Sequence, residues 1–309
     1  ALRKSIFKAV MLHEVGHNVG LRHNFEGSYD ALNYDRSFWD IDKEHGQGQD
    51  AEVLKEQSSQ PEYKYSSIMD YHGKINGDFR GLGHYDRAAI KFGYGQLVET
   101  FKDTNLVGGD SLRQWIVNND YRDLLYEDAD GVGEQGAAYF SSVDQLYDRQ
   151  DVIFDWTQEN LDVDAVGALL ASEVPYRFCS DEFAGRTPTC KRFDFGANQR
   201  ETQVANEIRY KNYFIFNHFR RNRLVLDFSG TAMRSQSTFF DTMLTYQWFY
   251  LYRSQNGTSF ANTDFYADLA QATAKGLNLM TEVVAMPRPG NYYPCTLNAG
   301  APDEEVVYY

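Results

Sequence analysis

Cysteine is scarce in this chain. Three in 309 residues cannot form an even disulfide framework, so crosslinks are not what builds the fold. Long apolar runs are missing too: no stretch reaches 18 consecutive apolar residues, which excludes a membrane-spanning helix. Positive charge is in deficit, with 30 Lys and Arg against 44 Asp and Glu and a net charge of −14. Only Arg220, Arg221 and Arg223 cluster, so the basic stripe of a nucleic-acid binder is missing. Proline is sparse as well. Four of the seven prolines stand from Pro287 onward, which makes the tail extended and mainly surface-running. No period of 20–50 residues repeats, which excludes a solenoid or propeller. Asp128-Ala129-Asp130-Gly131 and Asp181-Glu182 are acidic, but neither has the EF-hand spacing, and both read as solvated loop carboxylates.

Aromatics, by contrast, are abundant. With 22 Tyr and 21 Phe, 15% of the chain is aromatic, which argues against disorder. The length suits about two domains or one large one.

The chemistry is concentrated in one string, His13-Glu14-Val15-Gly16-His17-Asn18-Val19-Gly20-Leu21-Arg22-His23. It reads H-E-x-x-H-x-x-G-x-x-H without a gap. With this composition such a string arises by chance roughly once in several tens of thousands of sequences. Leu2, Ile6, Ala9 and Val10 recur ahead of it at helical spacing, which puts His13 and His17 on one helix face, one turn apart. Two imidazoles so placed suit one Zn²⁺. Glu14, the next residue round the helix, is too far round to be a ligand and close enough to reach a water, the position of a general base. Gly20 supplies the left-handed residue that ends a helix, so the chain can turn back and offer His23 as a third ligand. A structural zinc site is normally closed by four protein ligands, and no fourth histidine or cysteine stands at suitable spacing.

The box resembles that of the metzincin zinc endopeptidases, which carry a methionine turn downstream. Ser66-Ser67-Ile68-Met69-Asp70-Tyr71 matches that turn. The resemblance implies that Met69 packs under the three histidines without binding the metal, and that Tyr71 takes part at the transition state, as in the astacin-like and serralysin-like branches. Asn24-Phe25 follows the box where those branches have other residues. The string from His13 to Phe25, with Tyr65 to Tyr71, looks most like large bacterial cell-envelope zinc metalloproteases, over roughly the first 95 residues. The implied fold class is an α+β zincin catalytic region. A twisted sheet precedes the zinc helix in the family and only 12 residues precede His13 here, so the expected chain is mostly α, and upstream sequence or a second chain is expected to complete the cleft.

Along the rest of the chain, residues 26–61 read as polar and loop-rich, with a helical turn or two from Ala51 to Gln57. Asp86 to Phe92 is signalled as a helix ended by Gly93. His45 reads as an exposed loop histidine, and His72 and His84, which flank a glycine-rich loop, as surface or capping residues, with substrate contact as the alternative. From Gln96 onward the pattern is mainly helical: Thr202 to Val225, an aromatic run from Phe239 to Tyr252, and a stripe of Leu269, Thr273, Leu277, Met280 and Val284. These periods divide the chain into a zinc-helix and Met-turn part (1–100) and a helical region packed on it (101–309). Cys179 and Cys190 bracket a short turn-rich loop and suit a local disulfide, with free thiols as the alternative; Cys295 is left over.

The expected function is zinc-dependent endopeptidase action on a protein or peptide, with Zn²⁺ held by His13, His17 and His23, a water activated by Glu14, and Tyr71 at the oxyanion. The setting expected is extracytoplasmic, secreted or periplasmic, with no nucleic-acid partner and no membrane span. A zinc-binding interaction module without turnover is the competing class, and a zinc hydrolase of a non-peptide substrate is the third.

Overall fold

The computed structural model describes residues 2–46, 49–74, 76–102, 143–153, 172–186, 189–218, 264–285, 294–297 and 305–308, with single positions between 167 and 254. The first element, α1, spans Leu2–Asn18. Only Ala9 and Gly16 of it are buried, while Leu2, Phe7, Val10, Met11 and Val15 stay exposed. It ends as the sequence implies. Gly20 takes φ 93°, the Leu21 N–H donates to the Gly16 carbonyl (3.0 Å) and the Gly20 N–H to that of His17 (3.1 Å), the paired bonds of a Schellman stop.

Residues 26–61, expected as a polar loop, instead build the main core. Asp35 caps α2 (Arg36–His45), its side chain accepting from the Ser37 N–H, and Gly46 closes it at φ 72°. Phe38 and Trp39 face inward and join Ala31, Leu32, Tyr34, Phe101, Leu146, Val174 and Ala197 in one cluster. Polar composition concealed this helix because its inward face is only Phe38, Trp39 and Asp42. Asp42 is neutralised by Lys55 at 2.5 Å, on the following helix α3 (Gln49–Gln57). Two further lysines, Lys64 and Lys74, reach Glu56 of α3 at 2.5 and 2.8 Å, so the buried charges in this layer are paired.

Helix α4 covers His84–Gly95 and is longer than Asp86–Phe92 at both ends. Its stop is Gln96 in the left-handed region at φ 51°, not Gly93. The chain then departs from the expected helix. Leu97–Phe101 forms β1, antiparallel to β2 (Arg149–Ile153) in the register Leu97↔Ile153 and Phe101↔Arg149. The short α5 (Val143–Tyr147) precedes β2. Arg149 joins the two strands by an ion pair to Glu99 at 2.9 Å.

Helices α6 (Gln199–His218) and α7 (Asp264–Val284) are the long ones. On α7 the buried stripe is rotated from the expected one. Leu269, Ala272 and Leu279 are buried whereas Leu277 is exposed, because Gly276 admits the Met243 side chain against the backbone. Pro294–Leu297 (β3) pairs with Glu305–Tyr308 (β4), Cys295 lying opposite Val307. The described part is mainly helical with two small two-stranded sheets, and none of its helices is long and apolar enough to cross a membrane. Asp128 to Gly131, Arg220 to Arg223, the aromatic run apart from single helical positions, and the end of the helix expected to Val225 lie outside the described residues.

Candidate metal centre

Three imidazoles converge where α1 ends. His13 and His17 sit one turn apart with ring centroids 4.9 Å from each other, and His23, returned by the Gly20 turn, lies 5.4 and 4.7 Å from them. One ring nitrogen from each comes within 4.8 Å of the other two. The second nitrogen of each ring is already engaged. His13 Nδ1 donates to the Ile68 carbonyl at 2.7 Å, and His17 Nδ1 to the Leu21 carbonyl at 3.0 Å. His23 Nδ1 donates to the Asp181 carboxylate at 2.7 Å. Each ring is thereby fixed as the Nδ1–H tautomer, which leaves the Nε2 lone pair for a metal. Three imidazoles in this arrangement fit Zn²⁺, with positions left for water or substrate.

The Met-turn is built against this helix. Met69 is fully buried and lies against Gly16, where an added Cβ would meet the Met69 sulfur at 2.4 Å. Glycine at the fourth position of the H-E-x-x-H box is therefore a close-approach residue as well as a helix residue. The turn is also pinned by its backbone: the Asn24 N–H donates to the Met69 carbonyl at 3.1 Å. Asp86, on α4, holds it from the other side. Its carboxylate accepts from Ser67 Oγ (2.6 Å), Ile68 N (2.8 Å) and Gly83 N (2.8 Å). Sequence reasoning placed Asp86 at a helix start but missed this role; the tell was an acid one turn into a helix that follows the turn within 20 residues.

Tyr71 is half-buried, and its hydroxyl donates to His23 Nε2 at 3.0 Å. Its ring stacks between His13 (5.8 Å) and Phe193 (5.6 Å) and meets His23 and Phe25 edge-on. The Phe193 N–H donates to the Tyr71 carbonyl at 2.8 Å, and Phe193 holds a positive φ of 63°, an uncommon conformation for a bulky side chain. Glu14 follows His13 on α1, exposed to solvent. The structure thus brings His13, His17, His23 and Tyr71 together, with Glu14 next round the helix from His13.

His72 and His84 are both half-buried. His72 packs edge-on against Tyr65 at 4.9 Å with both ring nitrogens enclosed and unbonded, and burial pushes its pKa down to about 3. His84 opens α4 against Tyr147 at 5.4 Å, and burial, followed by Arg149, lowers it to about 4.

The other side of the site comes from residues 177–194, which no local motif connected to the zinc box. Cys179 and Cys190 form a disulfide, as their spacing suggested, and with Phe25 they make a small core against which Tyr71 packs. Asp181, inside that loop, is not merely a solvated carboxylate: one oxygen accepts from His23 Nδ1 and the other from Arg192 at 2.6 Å. The hydrogen bond from His23 is the main reason its pKa falls below the usual carboxylate range. Arg22 pairs with Glu182 alongside. Deeper in, Ser28 bridges two buried acids, its N–H donating to Asp70 at 2.7 Å and its hydroxyl to Asp194 at 2.9 Å. Burial raises Asp70 to about 7 and, with Asp70 nearby, lifts Asp194 well above the usual range.

Residues 1–132 match the model of a family described as Met-zincin. No curated protein and no solved structure matches the chain. The family match and the geometry agree: residues 1–132 are similar to the metzincin metalloproteases, a family that implies zinc, and His13, His17 and His23 form a cluster that could hold such a metal.

Proposed function

We propose that this metzincin-type chain is a zinc-dependent endopeptidase in which His13, His17 and His23 hold the metal, Glu14 is the general base and Tyr71 the oxyanion donor. The observation that carries the reading is the convergence of the three imidazoles: every Nδ1 is bonded to protein, one ring nitrogen of each lies within 4.8 Å of the other two, and at His23 the Tyr71 hydroxyl meets Nε2. Zinc, when bound, supplies the Lewis acidity that acidifies water and polarises a carbonyl. Glu14 takes the proton of the attacking water and passes it to the leaving amine as the C–N bond breaks. Tyr71, fixed by the rings around it, donates to the oxygen that gains negative charge.

Two further readings go with this one. The Cys179–Cys190 disulfide supports an extracytoplasmic setting, where such bonds persist. The exposed apolar face of α1, with Phe7 at 67%, Val10 at 51% and Val15 at 46% exposure, supports a covering partner, upstream sequence or a second chain, that would supply the sheet edge on which an extended peptide lies.

Glu14→Ala tests the reading. Hydrolysis of an unfolded protein substrate should fall by about 10²–10⁴-fold while zinc stoichiometry stays at the wild-type value. Loss of zinc from this variant would make Glu14 a ligand and overturn the assignment. Unchanged hydrolysis would remove the base from the mechanism.

A further inference from the structure

His23 differs from the other two ligands in its scaffold. His13 stands on α1 and His17 at its last turn, but His23 follows the Gly20 stop in an irregular segment. No helix fixes its ring. What surrounds it is a closed ring of side chains. Its Nδ1 donates to Asp181 at 2.7 Å, Asp181 accepts from Arg192 at 2.6 Å, the Arg192 guanidinium lies 5.0 Å over Phe25, and Phe25 stacks on His23 at 5.2 Å. Both oxygens of Asp181 are used, so its orientation is set from two sides.

The loop that carries Asp181 is anchored at both ends to the residues just after His23. At its start, the Phe25 N–H donates to the Cys179 carbonyl at 2.7 Å and Cys179 N–H to Asn24 Oδ1 at 3.1 Å. At its end, Thr189 Oγ1 donates to Glu26 at 2.7 Å. The disulfide closes the two ends on each other. A carboxylate 158 residues away in the chain is therefore delivered to one imidazole nitrogen by a crosslinked loop.

We propose that Asp181, carried on the loop closed by Cys179–Cys190, is the positioning residue of His23 and sets how tightly the three histidines hold zinc. The inference rests on the zinc reading above. A carboxylate on the outer nitrogen fixes the ring and raises its basicity, and removing such a partner typically costs 10- to 100-fold in metal affinity. The disulfide acts through Asp181, by keeping the loop seated beside Phe25.

The test is zinc affinity of the full chain, by competition with a chromogenic chelator. Asp181→Ala should weaken zinc by about 10- to 100-fold, and Asp181→Asn by less, because its amide oxygen still accepts from Nδ1. Glu182→Gln, on the same loop but paired with Arg22, should stay within about twofold of wild type. Melting of the metal-free Asp181→Ala protein should be unchanged, which separates positioning from folding. Opening the disulfide with a phosphine reductant should weaken zinc in the wild type and add little in Asp181→Ala, since coupled effects are not additive. Wild-type affinity in Asp181→Ala, or equal losses on reduction in both proteins, overturns the proposal. His13→Ala is the control. If it loses zinc while Asp181→Ala does not, only the positioning role fails; if it retains wild-type affinity, the zinc reading itself falls.

Discussion

His13 and His17 donate from Nδ1 to peptide carbonyls, whereas His23 donates from Nδ1 to a carboxylate. The first two supports are made of main chain, from Ile68 and Leu21, and no side-chain change at those residues deletes a carbonyl. They depend instead on where the backbone runs. The third support is one side chain on a distant loop, removable by a single substitution without moving any backbone. The two kinds of support therefore fail differently. Loss of a main-chain support should be felt first as loss of fold, and loss of the side-chain support first as loss of metal.

The strongest way to break the main-chain side is Asp86→Ala. It removes the acceptor for Ser67, Ile68 and Gly83 and leaves buried donors unpaired. Hydrogen bonds to charged groups are worth roughly 1.5–3 kcal/mol each, so we expect the metal-free protein to lose about 3–5 kcal/mol in urea unfolding. A loss below about 1 kcal/mol would mean that the turn is held by its other contacts, and the contrast with Asp181→Ala would collapse.

Tyr71→Phe sharpens the comparison at the point where the two sides meet, since the phenol touches His23 Nε2 while its ring stacks on His13. A donor used mainly in the transition state predicts a kcat about 10- to 1,000-fold lower with KM little changed. Unchanged kcat would leave Tyr71 a packing role only. Zinc titration of the same variant tells a donor from a ligand.

The smallest effect lies at the seam between the Met-turn and the 190s. Asp70 has a folded pKa raised to about 7, chiefly by burial, against an unfolded value near 3.9. Its protonated form is the one the fold favours. That contribution is full below about pH 4 and is lost as pH rises through about 7. Asn at position 70 has no proton to lose. The melting temperature of Asp70→Asn should therefore gain on wild type between pH 5 and pH 8, by about 2–4 °C for each kcal/mol released. A gap that stays constant with pH, or shifts towards wild type, would count against a neutral Asp70.

Much of the site was legible because it is local. A helix places residues four apart on one face, so His13 and His17 followed from periodicity, and Gly20 marked the turn that returns His23. Tyr71 stands where the metzincin resemblance put it, and its hydroxyl does reach His23. The fold was less legible. Helix α2 hid in a polar stretch because its buried face needs only Phe38, Trp39 and a lysine-paired Asp42. The strands β1 and β2 are joined across 47 intervening residues (102–148), and nothing in a five-residue segment such as Leu97–Phe101 says which partner it will find.

By itself, the sequence determined which atoms could bind the metal, how the helix spaces two of them and where the chain turns to bring the third. These depend on bond geometry, helical repeat and the freedom of one glycine, all of which act over a few residues. Tertiary structure decided what holds those atoms in place. Asp181 and Asp86 reach the site from the 179–190 loop and from α4, and their carboxylates look like any other acid in a chain that carries 44 of them. Only packing brings a given acid within hydrogen-bond range of a given ring or turn, and that interaction decays too steeply with distance to be read from order along the chain.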